Sequence, residues 1–273
     1  PVAAFATSLA LPAAFATAVM VAWHQLGLAL DPATPALIAA TTGLVATAFG
    51  LITARRRAAA LRRRFERHLS PAIVARIAAQ PGLTRLPGEA REVTAMFTDL
   101  QGFSAIAETL PPVHLIALLD RYFSGLTEIV HSHGGMIEKF VGDAAHILFN
   151  APFDLPDHPA AATRCAQQIT RFGETFAAAP ASHGLGRTRV GFETGMVIVG
   201  DVGSGDKLDY TAHGHAMNLA ARLEQECKTL GVTLLAGPQV QQANPGQPWQ
   251  ALGALDVRGI GKVAVFTLPQ VTP

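Results

Sequence analysis

Charge is scarce in this chain. Only 15% of its 273 residues are Asp, Glu, Lys or Arg, against about 25% in an ordinary soluble domain, and the mean hydropathy is +0.29. Hydrophobic residues make up 49%, which excludes an intrinsically disordered chain. Glycine, at 25 residues, is far too rare for a collagen-like fold. There are two cysteines, Cys165 and Cys227, which excludes a disulfide scaffold. Neither belongs to a CxxC or Cys/His cluster, so no zinc site is expected.

The scarcity is uneven. Residues 1–54 hold one charged side chain, Asp31, while residues 55–91 hold ten arginines against Glu66 and Glu89. Residues 92–273 hold eleven Lys and Arg against seventeen Asp and Glu, so the net charge of +1 is the sum of three dissimilar zones. Two uncharged stretches, Pro1–Leu30 and Pro32–Ala54, are each long enough for a spanning helix, which needs about 20 apolar residues. Spans at about 4–26 and 35–54 are expected, with Gly27–Pro35 as an interfacial turn and Trp23 at the aromatic belt. The competing reading is a pair of buried helices in a soluble protein. A signal peptide is excluded by the missing basic start and the length of the apolar runs.

Arg55–Arg57 and Arg62–Arg64 follow the second stretch directly. By the positive-inside rule they face the cytoplasm, beside anionic lipid. This implies a multi-pass protein of the cell's inner membrane, with membrane lipid as a partner and everything after Arg55 cytoplasmic. Position beside the membrane accounts for the basic run, so no nucleic-acid partner is expected. The domain division is then 1–54 anchor, 55–88 basic juxtamembrane helix and linker, and 89–270 catalytic domain. The chain starts with Pro, and an upstream sensor domain is expected.

From Val93 onward, strand and helix patterns alternate. Strands are predicted at Val93–Thr98, Met136–Val141, Ala145–Phe149, Arg189–Glu193, Met196–Val199, Leu208–Ala212, Val232–Ala236, Leu255–Arg258 and Val263–Leu268. Helices are predicted at Val113–Val130, with Val113, Ile116, Leu119, Phe123, Leu126 and Val130 inward, at Ala160–Phe176 capped by Asp157, and at Ala216–Leu230 closed by Gly231. The order suits an α+β mixed sheet with helices on one face.

Within this frame, Asp99 ends a strand and Asp143 sits in a tight turn. Two carboxylates at strand ends can meet at one edge of a sheet and hold a pair of hard divalent ions. The glycine-containing turn after Asp99 can aim N–H groups at phosphates. Asn218 and Arg222, four apart on one helix, share a face; an amide beside a guanidinium can orient a ribose and neutralise phosphate charge.

The strings themselves are more specific. Phe97-Thr98-Asp99-Leu100-Gln101-Gly102-Phe103-Ser104 resembles the first metal motif of class III nucleotide cyclases, and Gly134–Ala144, ending Glu138-Lys139-Phe140-Val141-Gly142-Asp143-Ala144, resembles their second. Gly195–Ser204 is similar to their central hairpin. Asp209-Tyr210-Thr211, followed by Asn218–Glu224, resembles their catalytic segment. The resemblance covers residues 89–268 and implies a ferredoxin-like, palm-type core working as a homodimer with shared active sites.

It also implies roles. Asp99 and Asp143, with the Leu100 carbonyl, would bind two Mg²⁺ or Mn²⁺ ions per site. Gly102, Phe103 and Ser104 would meet the substrate's phosphates, Asn218 its ribose, and Arg222 the charge of the transition state. Metals would come from one subunit, Asn218 and Arg222 from the other. Lys139 and Thr211 would read the base: Lys with Thr or Asp marks adenylate cyclases, so ATP is the expected substrate and cyclic AMP the product. Departures are His215 for a common Asp, Gln101 for a common Arg, and Ile260 for a phosphate-binding Lys that Lys262 would replace. The alternatives are a guanylate cyclase and a non-catalytic nucleotide-sensing dimerisation module.

Overall fold

The structure is a computed structural model that describes residues 88–179, 182–204, 207–257 and 259–269, with 17, 19, 21, 23–25, 41–43 and 46–50 further upstream. The chain divides into two compact units, Pro1–Leu69 and Ser70–Pro273. In the first, the described residues are helical, and Thr47 Oγ1 donates to the Gly43 carbonyl at 2.7 Å. Among the described residues no helix is long and apolar enough to cross a membrane. This corrects the expectation of a multi-pass inner-membrane protein. Most of the two apolar stretches, and the basic segment up to residue 87, lie outside the described residues.

The second unit is built on one mixed sheet of eight strands: β1 (Glu89–Leu100), β2 (Met136–Val141), β3 (Ala144–Phe149), β4 (Thr188–Ser204), β5 (Lys207–His213), β6 (Leu234–Ala236), β7 (Gln250–Val257) and β8 (Gly261–Thr267). Its order is β2-β3-β1-β4-β6-β8-β7, with β5 pairing the far part of β4. Only β4–β6 is parallel. Five helices follow the chain: α1 (Phe103–Thr109), α2 (Pro112–Ser132), α3 (His158–Ala178), α4 (His215–Leu230) and α5 (Pro238–Ala243).

The strand period of two assigns the faces. Met96 and Leu100 of β1 pack with Tyr122 and Leu126 of α2 and with Ile169 of α3. Val93 and Ala95 pack instead with Met217 and Ala220 of α4. Helices thus cover both faces, a correction to the one-face expectation. It explains why Val93–Met96 is buried without interruption: a central strand covered on both sides cannot alternate polar and apolar residues.

The inward stripe of α2 is Leu118, Tyr122, Leu126, Ile129 and Val130, while Val113 and Ile116 are exposed. Of the predicted stripe, Leu126 and Val130 are buried and Leu119 and Phe123 pack against the core, so the rotation concerns its first turns. Tyr122 decides the rotation: its hydroxyl reaches Thr188 Oγ1 at 3.0 Å, and its ring stacks on Phe172 of α3. Asp157 stands at the start of α3 but makes no side-chain cap; it pairs with Arg164 at 3.2 Å. The two strands expected around Gly195 are one 17-residue strand, β4. Gly191 in β4 lets α4 lie directly on the sheet, since a Cβ there would fall 2.1 Å from the Glu224 nitrogen.

Candidate active site

Antiparallel pairing of β1 with β3 brings the end of one strand beside the start of the other. Asp99 and Asp143 are thereby neighbours: the Leu100 N–H donates to Asp143 Oδ2 at 3.3 Å. Burial, and then the charge of Asp99, push the Asp143 carboxyl up to about 6. Gly102 adopts φ 84°, a left-handed turn natural for glycine, and starts α1. Phe103 packs against the core and Ser104 is exposed.

The antiparallel register of β1 with β4 sets Arg189 directly across from Asp99. Arg189 Nη2 donates to Asp99 Oδ2, and its Nε lies 3.4 Å from Glu224 Oε1 on α4. Burial lowers the guanidinium's affinity for its proton, but the Asp99 hydrogen bond and charge outweigh this and raise it. Burial and the charge of Asp99 push Glu224 up to about 7. Two carboxylates, Asp99 and Glu224, thus share one protein cation. Neither Arg189 nor Glu224 was assigned a role from sequence. The available signal was a charged residue at the head of a strand.

The two carboxylates, with the Leu100 carbonyl that the resemblance would add, would make an all-oxygen donor set, the kind that suits Mg²⁺ or Mn²⁺. Like-charge crowding between Asp99 and Asp143 is what a divalent cation relieves, so the residues fit the expected ions. Among the described residues no group of three His, Cys, Asp or Glu side chains is arranged to hold a metal; the two side-chain donors are Asp99 and Asp143.

Asn218 and Arg222 lie on the exposed side of α4, opposite Ala220, Leu223 and Cys227, which are buried. Arg222 donates to Gln225 at 2.9 Å. Among the described residues neither is joined to Asp99 or Asp143 by a hydrogen bond or ion pair. His215, the departure at the head of α4, is likewise exposed. Lys139 and Thr211, 72 positions apart, do meet: Thr211 Oγ1 donates to Glu138 Oε1, which lies 3.3 Å from Lys139 Nζ. Lys262 is exposed on β8. Two strands, β4 and β6, separate β8 from β1, so the fold does not bring Lys262 to the Asp pair of its own chain.

The family model for the adenylate and guanylate cyclase catalytic domain matches residues 87–270. Adenylate cyclase 1 of Rhizobium meliloti (strain 1021) is 39% identical over 172 residues, 62% of this chain and 26% of that protein. The uncharacterized protein Rv1318c of Mycobacterium tuberculosis H37Rv is 32% identical over 180 residues, 66% of this chain and 32% of its own. The chain thus spans about a quarter to a third of these curated relatives. A bacterial light-regulated adenylyl cyclase superposes with a TM-score of 0.70 at 26% identity, covering 84% of this chain and 66% of its own. The adenylyl cyclase CyaB of P. aeruginosa gives 0.61 at 25%, covering 66% and 95%. The guanylyl cyclase Cya2 gives 0.54 at 26%, covering 66% and 92%. With the match extending over the whole sheet and both aspartate motifs, the chain belongs to the class III adenylate and guanylate cyclase catalytic-domain family.

Proposed function

We propose that the domain is an adenylate cyclase that converts ATP to 3′,5′-cyclic AMP and pyrophosphate at sites shared by two copies of the chain. The observation that carries the adenine assignment is the meeting of Lys139 and Thr211 around Glu138. A lysine donor suits the N1 acceptor of adenine, and a hydroxyl oxygen can accept from its 6-amino group. Composite sites are supported by the layout of α4. Its inward face carries Glu224 to Arg189 and Asp99, while Asn218 and Arg222 face outward, where a second copy's Asp pair can meet them.

Asp99, Asp143 and the Leu100 carbonyl would hold the two Mg²⁺ or Mn²⁺ ions, which supply charge neutralisation and lower the pKa of the ribose 3′-hydroxyl. The remaining work falls to side chains. Lys139 and Thr211 orient the base. The Asn218 amide fixes the ribose so that the 3′-oxygen lies in line with the α-phosphorus. The Arg222 guanidinium donates to the charge that grows on the transferring phosphoryl group. The Gly102–Ser104 turn offers N–H groups to the triphosphate. We also infer an output role in a longer signalling chain, supported by how little of its relatives' length the domain spans.

The deciding experiment is turnover of ATP and GTP by the purified chain with Mn²⁺. Cyclic AMP as the main product is expected. Cyclic GMP as the main product would overturn the adenine assignment, and no turnover of either nucleotide would favour a non-catalytic module.

A further inference from the structure

Thr211 is 6% exposed, and the Glu138 side chain that receives its hydroxyl hydrogen is 2% exposed. Lys139, beside them, is 47% exposed. Glu138 Oε1 therefore accepts from the Thr211 hydroxyl and pairs in charge with the Lys139 ammonium, while Oε2 is buried with no hydrogen-bond partner among the described residues. The arrangement joins β2 to β5, two strands that are not neighbours in the sheet. None of it follows from the roles already given to Lys139 and Thr211.

We propose that Glu138 is a positioning residue that fixes the polarity of Thr211, so that the pocket accepts a 6-amino purine and rejects a 6-oxo purine. The inference rests on the adenylate reading above and deepens it. A threonine hydroxyl carries one donor and two acceptor sites and can rotate to suit either kind of partner. Left free, Thr211 would donate to the 6-oxygen of guanine as readily as it would accept from the 6-amino group of adenine. With its single hydrogen committed to a buried carboxylate, a strong charge-assisted bond, it presents only lone pairs.

Adenine then donates its 6-amino hydrogen to Thr211 and accepts at N1 from a Lys139 hydrogen not used by Glu138. A 6-oxo purine would set oxygen against oxygen at position 6 and an N1–H against an ammonium at position 1. A site built to pair with one hydrogen-bonding pattern discriminates strongly against the other, because its polar groups are left unpaired.

The test compares kcat/KM for ATP and inosine triphosphate, which differ only along the 6 and 1 positions of the base, in the purified chain with Mn²⁺. Glu138→Met, which keeps the side chain's length but has no oxygen to accept the Thr211 hydrogen, is expected to lower the ATP preference by roughly tenfold, the scale of one mispaired polar group, with inosine triphosphate gaining in absolute terms. Glu138→Asp should recover most of the preference. Thr211→Val should lose it too, and the Glu138→Met/Thr211→Val double variant should lose no more than Thr211→Val alone. Parallel loss for both nucleotides in Glu138→Met, or a sharpened ATP preference, would overturn the inference. If Thr211→Val leaves the preference intact, the adenine role of Thr211 itself fails; if Thr211→Val loses it and Glu138→Met does not, only the role of Glu138 fails. Should Glu138→Met not fold, the unaltered chain can be tested with purine riboside triphosphate, which has no 6-substituent. A roughly tenfold loss against ATP is expected, and equal turnover would overturn the proposal.

Discussion

Replacing Glu193 by Gln should stabilise the domain at alkaline pH and leave it unchanged in acid. Glu193 lies on β4, 1% exposed. Its Oε1 accepts from the Thr194 N–H at 2.7 Å and from the Val240 N–H of α5 at 3.3 Å. Its Oε2 is buried without a hydrogen-bond partner among the described residues, against Gly237, where a Cβ would come within 1.8 Å of it. Burial pushes the carboxyl up to about 7 from 4.5, against the pull of the backbone N–H groups of Thr194, Val240 and Gln239. Between these two values the folded chain keeps the proton and the unfolded chain has released it, so stability falls as pH rises. Above about pH 7 the whole penalty is present, on the order of 3 kcal/mol. Glutamine keeps the carbonyl acceptor, is neutral at every pH, and puts an amide where the protonated acid has its hydroxyl. Urea unfolding of both chains at pH 4.5, 6, 7 and 8 isolates this one group, because all other titrations cancel in the difference. The stabilities should coincide at pH 4.5 and diverge to about 3 kcal/mol at pH 8. A difference that does not change with pH would refute the reasoning.

Other consequences are as direct. Gly191→Ala should cost about 3 kcal/mol or more in urea unfolding, because its Cβ would meet the α4 backbone at 2.1 Å and 2.5 Å. Arg189→Ala should enlarge the rise in Tm caused by Mn²⁺, since Asp99 and Glu224 lose their shared cation; an equal rise in both chains would count against that view. Asp99→Ala and Asn218→Ala should each be inactive alone. Mixed in equal amounts they should recover about a quarter of normal activity, as half the dimers carry one intact site of two; heterodimers shown to form but lacking activity would exclude composite sites.

The parts of the fold that are legible in the sequence are those with local causes. Gly134-Gly135 and Gly231 stop helices, and the predicted bounds of β2 match the structure. The short helices α1 and α5, of seven and six residues, are too brief to show a 3.6-residue period. On α2 the expected stripe holds from Leu119 through Phe123 and Leu126 to Val130 and fails at Val113 and Ile116, which are exposed in the first turns while Leu118 and Tyr122 turn inward. Sequence period defines candidate stripes, and only the tertiary partner, here Thr188 and the α3 phenylalanines, chooses among them.

The active-site residues divide along the same line. Asp99 and Asp143 could be singled out from sequence because each lies in a contiguous string that resembles a cyclase metal motif; strand-end position alone is a weak signal, since Asp in a turn is usually there for the turn. Arg189 and Glu138 could not, because their partners lie 90 and 73 positions away. What would give them the proposed roles is pairing across the sheet. In the register that sets Asp99 opposite Arg189, the two side chains share a face. A slip of one residue would send the arginine to the α2–α3 side and leave the carboxylates without a cation. Likewise, the polarity of Thr211 depends on a glutamate on β2, not on anything beside it in the chain. The chemistry of this site is therefore a property of strand register, carried by side chains whose residue types alone look ordinary.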